Sequence, residues 1–328
     1  MALDDLIDQL AFGKTKPKIK TCLGMYLSPE TIYISEVHLE KDQLAVDHLV
    51  RIPVPAAGAG KPGTPAATGT LNTDFLMDNA KLIQLVRQSM SQIRWNSKEV
   101  MVTLSHHLGL LRYFTMPQID RRFLANAVPL EAKKYIPIPF ETLSHDFQVL
   151  PLPPDAANKP RQGALVCVTQ NKNLANVMSL LEGLGLNLVG MEVAPCSVLR
   201  VWEALEKPAR GKTHCQVHFD AGNIRILLAD RGVPIFFREL FLGKEPAATD
   251  LRKIDLVGCL GFAQKQLGVG GLAQLRVSGA AQNIDGWRQA FAQDDEVQPY
   301  EGAAVPSRLL PADYDPDELL SLRWAYAG

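Results

Sequence analysis

The chain has 328 residues, 47% hydrophobic and 21% charged, a balance that suits a globular protein with room for two packed domains. Its 34 Lys and Arg against 35 Asp and Glu give a net charge of −1, and without a basic tract this excludes nucleic-acid binding by phosphate neutralisation. No apolar run reaches the roughly 18–20 residues that span a bilayer. The start of the chain carries Asp4, Asp5 and Asp8 where a signal peptide would be basic, so a cytoplasmic protein that meets the membrane only through a partner is expected.

In chain order, Leu3, Leu6, Ile7 and Leu10 fall at helical spacing, followed by a basic spacer over 14–20. This tail, 1–19, reads either as a docking segment or as a frayed terminus; its acidic polar face disfavours anionic lipid. Three strand-like runs follow at 20–27, 31–39 and 43–52, joined by short polar turns as in an antiparallel meander. Residues 53–70, rich in Pro, Ala, Gly, Lys and Thr, read as a flexible insertion. A helix over 74–93 and a strand over 99–105 come next.

The middle third predicts a strand at 164–169, a helix capped by Asn173 and ended by Gly185, a strand at 186–193 and a helix at 197–205. The helix over 173–184 puts Leu174, Val177, Met178, Leu181 and Leu184 on one apolar face. The pattern then restarts. Strands at 214–219, 223–230 and 233–240 form a second meander, with a helical region at 250–267, a strand at 275–278 and a helix at 283–290. Two copies of meander, helix, strand and helix are too long for a solenoid repeat and imply a duplicated domain. That is the architecture of actin and the sugar kinases: an α/β, duplicated ribonuclease-H-like (actin-like ATPase) fold.

One stretch is more specific. Glu131-Ala-Lys-Lys-Tyr135-Ile136-Pro137-Ile138-Pro139-Phe140, running on to Asp146-Phe147-Gln148-Val149-Leu150, resembles the PilM family of type IV pilus assembly proteins. Leu23-Gly24, Glu36, Phe219-Asp220-Ala221-Gly222, residues 234–239 and the terminal Ala325-Tyr326-Ala327-Gly328 are similar to the same family. The resemblance covers nearly the whole chain after about Lys18. It departs from the family in the 53–70 insertion and in Pro129, which must kink its helix or begin a new one.

The resemblance implies a first actin-like subdomain at 20–99 and 171–210, an inserted partner-binding subdomain at 100–170, a second actin-like subdomain at 211–312 and a C-terminal helix at 313–328. It further implies a groove, beside the Tyr135–Phe140 segment, for the N-terminal cytoplasmic peptide of PilN, a single-span inner-membrane protein, and self-association. Tyr135, Ile136, Pro137, Ile138 and Phe140 either line that groove or pack the subdomain's own core.

Nucleotide-binding members of this fold grip phosphates with the first hairpin turn of each half, through backbone N–H groups and an acidic strand end. The family's first turn is acidic and Gly/Ser-rich; here it reads Tyr26-Leu27-Ser28-Pro29-Glu30-Thr31, with Tyr26 in place of the acid and no N–H at Pro29. The second turn keeps Asp220 and Gly222, followed by Asn223. The adenine-side loop keeps Gly279 but has Ala280 where a second glycine is usual. Asp220, Gly222, Asn223 and Gly279 are therefore the residual nucleotide-binding residues, or ordinary turn residues. The expectation is a scaffold with a degenerate cleft. It requires no cofactor and leaves ATP with Mg²⁺ binding open.

The alternatives are a slow actin-like ATPase whose nucleotide state controls assembly, and a GspL-like secretion component. No catalytic residue is assigned. The adjacent His106 and His107 point apart if they lie on a strand. His214 and His218 share a strand face with Gln216 and offer no third metal ligand. The five scattered cysteines suggest small buried hydrophobes rather than disulfides.

Overall fold

The computed structural model of the chain describes residues 21–29, 31–40, 43–55, 71, 76, 78–155, 157–206, 213–220, 223–241, 255–267, 272–278 and 281–290. The expected tail at 1–19, most of the 53–70 insertion and the C-terminal helix at 313–328 lie outside the described residues.

The first meander is β1 (Thr21–Leu27), β2 (Thr31–Glu40) and β3 (Gln43–Pro53). Helix α1 (Asn79–Met90) follows, starting later than its apolar pattern suggests because Asp78 caps it by accepting from the Lys81 N–H at 3.3 Å. Strand β4 (Glu99–Leu104) then adds parallel to β1. With β8 (Asn187–Val193) the sheet order is β3-β2-β1-β4-β8. The strand at 99–104 thus belongs to this first sheet, not to an inserted unit beginning at 100. Leu23, Met25, Leu27, Ile32, Ile34, Val100 and Val102 bury one core under α1 and α3 (Asn171–Leu184).

Between β4 and β8 the chain builds a sheet of its own. It comprises β5 (Gly109–Pro117), β6 (Leu143–Leu152) and β7 (Arg161–Gln170), ordered β5-β7-β6 and antiparallel throughout. Helix α2 (Leu124–Ala132) covers one face. Pro129 sits inside this nine-residue helix, which ends three residues later. The opposite face places Leu111, Leu150 and Leu165 into the core of the second half.

Asn173 does not cap α3. The helix begins at Asn171, and Asn173 is buried with its amide Nδ2 donating to the Leu108 carbonyl at 3.4 Å. Met178, expected on the inner face, is 46% exposed; Val177, Leu180 and Leu181 are buried instead. Gly185 ends the helix at φ +72°, and the Leu186 N–H bonds back to the Leu181 carbonyl at 3.0 Å.

After α4 (Ala194–Glu206) the second half repeats the first. Strands β9 (Thr213–Asp220), β10 (Asn223–Asp230), β11 (Val233–Phe241) and β12 (Leu272–Ser278) are ordered β11-β10-β9-β12. The first three are antiparallel, and β12 runs parallel to β9, as β4 does to β1. The helical region is α5 (Leu256–Phe262), which passes directly into a π-helical turn at Ala263–Leu267. Helix α6 (Ala281–Ala290) closes the described chain and buries Trp287 completely. The same strand order in both halves is the duplicated ribonuclease-H-like arrangement that the sequence repeat predicts.

Candidate functional site: an aromatic cleft between the inserted sheet and the second half

The β5 edge of the inserted sheet faces β11 and α5, and between them lies a cleft of about 670 Å³. Its walls come from Leu111–Thr115 on one side, Ile235–Arg238 on another, and Asp255, Cys259, Phe262 and Leu267 on the third. Tyr135 forms one lip, its ring stacked on Phe114 at 4.8 Å between centroids and 9° between planes. Phe262, half exposed, tilts toward Phe236 at 6.5 Å. Aromatic side chains with open edges suit apolar ligand groups and lose little rotamer entropy on contact.

Two guanidinium groups enter this apolar surface. Arg112 donates through Nε to the Tyr135 carbonyl at 3.3 Å and through Nη1 to the Leu111 carbonyl at 2.8 Å. Arg238 stands beside Cys259: burial pushes that thiol up, and the neighbouring guanidinium pulls it partly back. Among the described residues no carboxylate pairs with either arginine. Asp255 is engaged in capping α5, where its Oδ1 accepts from the Gly258 N–H at 2.8 Å. Tyr113 lies against Gly163 of β7, where an added Cβ would stand 2.2 Å from its hydroxyl. That glycine lets the Tyr113 ring lie down along the cleft wall.

Of the five expected groove residues, Tyr135 lines this cleft. Ile136 and Phe140 are buried in the inserted sheet's own core, Ile138 packs partly against it, and Pro137 is exposed. The helix end at Ala132 and the two prolines turn successive side chains alternately in and out, so one tyrosine remains outside. The segments at 111–115, 235–238 and 255–267 carry no local motif that marks them as a site.

At the nucleotide side, Tyr26 is buried and stacks on its cross-strand partner Tyr33 at 6.0 Å. Ser28 is buried beside it, and Glu30 lies outside the described residues. Asp220 ends β9 and pairs in register with Asn223, which opens β10. Gly222 and Gly279 lie outside the described residues; the last described residue of β12, Ser278, is in register with His218 of β9. His106 and His107 are in the turn after β4, not on a strand, and their rings lie 3.7 Å apart instead of pointing apart. Among the described residues no group of three or more His, Cys, Asp or Glu is placed to hold a metal ion, and the five cysteines are free. No helix among the described residues is long and apolar enough to cross a membrane.

Two halves of one strand order with a sheet inserted in the first define an actin-like ATPase fold. The chain belongs to the PilM family: the family model of type IV pilus assembly protein PilM matches residues 24–253. Among solved structures it is similar to a PilM–PilN type IV pilus biogenesis complex, at 20% identity and TM-score 0.66 over 95% of this chain and 96% of that one. It is also similar to the cytoplasmic domain of EpsL, an inner-membrane component of the type II secretion system of Vibrio cholerae, at 14% identity and TM-score 0.48 over 88% and 92% of the two chains. A third, the ethanolamine utilization protein EutJ from Carboxydothermus hydrogenoformans, has 10% identity and TM-score 0.43 over 99% and 97%. No curated protein matches the chain.

Proposed function

We propose that this chain is a cytoplasmic scaffold of a type IV pilus machine that binds the N-terminal peptide of a PilN-like inner-membrane protein in the cleft between β5 and β11, without productive ATP turnover. The observation that carries the reading is the cleft itself. It offers about 670 Å³ of space, open aromatic edges at Tyr135 and Phe262, and two arginines without a carboxylate partner among the described residues. Extended or helical peptides are recognised by such surfaces through a few apolar anchors and a charged contact. The burial of Tyr26 against Tyr33 and the missing N–H at Pro29 support a first hairpin that does not grip phosphate.

The test is a titration of the protein with a synthetic peptide of the cytoplasmic leader of a PilN-like protein. Tyr135→Ala and Phe236→Asp should each weaken binding at least tenfold, and Phe123→Ser, on an exposed residue outside the cleft, should leave it unchanged. Binding unaffected by either cleft substitution would refute the site. The slow-ATPase reading retains one supporting feature, the Asp220 strand end. Turnover of Mg-ATP abolished by Asp220→Ala would favour it.

A further inference from the structure

We propose that strand β6 is a self-recognition edge, at which two copies of this chain pair antiparallel about a twofold axis into one continuous sheet. The inference does not depend on what the cleft holds, because the cleft borders β5, the opposite edge of the inserted sheet. The order β5-β7-β6 leaves β6 paired on one side only. Its free side can be read residue by residue. In an antiparallel ladder, alternate residues turn both N–H and C=O toward the same neighbour. Three observations put the odd-numbered residues outward. The Leu143 N–H closes the preceding 3-10 turn on the Phe140 carbonyl. The Phe147 N–H donates to the adjacent Asp146 carboxylate at 2.8 Å, a local substitute for a strand. Pro151 has no N–H and is tolerated where the ladder with β7 asks for none. His145, Phe147 and Val149 therefore carry the outward donors and acceptors, and among the described residues no other strand bonds them.

Exposed edges are usually blunted by short length, lysines, a bulge or a covering element. Strand β6 is 10 residues long, keeps unbroken register with β7 and has no lysine; His145 and Asp146 are exposed. The occupant that fits is a second copy, because the edge is complementary to itself. With Phe147 set opposite Phe147, His145 faces Val149, and each of these pairs can exchange two N–H···O bonds. At either end Pro151, which lacks a donor, faces Leu143, whose donor is already engaged. Asp146 falls opposite Gln148, whose amide can donate to the carboxylate that the Phe147 N–H gives up. An axis through Asp146 would instead set two carboxylates face to face. Phe147 and Val149 pack only partly against the core under α2, and the paired phenylalanine rings meet on that same face.

Such a contact is isologous and closes at two copies. Neighbouring strands lie about 4.8 Å apart, so the two β5 edges stand roughly 24 Å apart across the joined sheet. Each of them borders a cleft. The pair thus presents two clefts from one sheet and leaves both open.

The experiment is sedimentation equilibrium on the full chain across the micromolar range, with amide hydrogen exchange read at low and high concentration. The expected result is a monomer–dimer equilibrium, with exchange at 143–150 slowed at high concentration. His145→Pro removes one outward N–H from each copy at an exposed residue. It should weaken the dimer roughly tenfold or more, with the urea midpoint unchanged. Phe147→Cys is a second check that does not rely on that proline. Directly opposed residues of a hydrogen-bonded pair have Cα atoms about 5.5 Å apart, within disulfide reach. Oxidised glutathione should therefore link two copies of Phe147→Cys, and should not link Phe123→Cys, at an exposed residue away from β6. A monomer at every concentration, a dimer indifferent to His145→Pro, or cross-linking no better at 147 than at 123 would overturn the proposal. Protection of 143–150 that appears only on adding a PilN-like leader peptide would also overturn it, and would assign the edge to a partner's strand.

Discussion

Two buried acidic residues carry more weight than their positions in the sequence suggest. Glu36, fully buried on β2, accepts from the Asn96 N–H at 2.6 Å, the Ser97 N–H at 3.0 Å and the Asn96 amide at 3.0 Å, tying the loop before β4 to the first sheet. Glu36→Ala strands those donors and should cost about 3 kcal/mol, measurable as a lower urea midpoint with an unchanged slope. Glu239 is the second. Burial raises its pKa, but Arg225, with Nε 3.2 Å away, and His106, with Nδ1 2.5 Å away, outweigh burial and hold it at about 2. Beside it His107 is pulled down to about 4 by burial and by His106.

The pH dependence follows from these directions. The unfolded chain protonates His107 near 6.5 and the folded one near 4, so stability is intact above about pH 6.5 and declines as the pH falls toward 4. Glu239 adds a second loss between about 4.5 and about 2. His107→Gln should lose on the order of 2 kcal/mol less than the parent between pH 7 and pH 4, read from urea unfolding at both. At this scale the sequence was partly legible. Glu36 is marked by family resemblance, whereas the His107–Glu239 cluster joins a turn and a strand more than a hundred residues apart and has no local signal.

Among the elements, the inserted sheet controls the cleft through a residue that does not line it. Gly163→Val places side-chain atoms where the Tyr113 ring lies. It should push that ring out, weaken peptide binding at least tenfold and cost about 1–3 kcal/mol from overpacking. Gly185→Ala is the contrasting case. Nothing stands within 4 Å of its new Cβ, but φ +72° still costs about 1 kcal/mol. Its thermal midpoint should fall slightly, with binding unaltered.

Period and punctuation explain which elements could be read. The meander turns and Gly185 announce themselves because local chemistry decides them. Strand β5 was missed because Gly109–Pro117 is apolar around Arg112 and Tyr113 without strict alternation, both faces being covered. Asn173 misled because a long-range bond to Leu108 engages the side chain that would otherwise cap the helix.

For the whole molecule, duplication was legible because it repeats in sequence. The cleft was not, because its walls come from 111–115, 135, 235–238 and 255–267, brought together only when the inserted sheet packs its Leu111 face on the second half. That packing makes the inserted unit and the second half one surface. A ligand bound there bridges two parts of the fold, as a scaffold's ligand should. The central claim is that this bridge is a peptide site, and hydrogen–deuterium exchange with and without the PilN-like leader peptide tests it most directly. The account predicts slowed exchange at 111–115, 235–238 and 255–262 on adding peptide. Protection that appears instead at 26–33 and 220–225, and only with Mg-ATP, would contradict it.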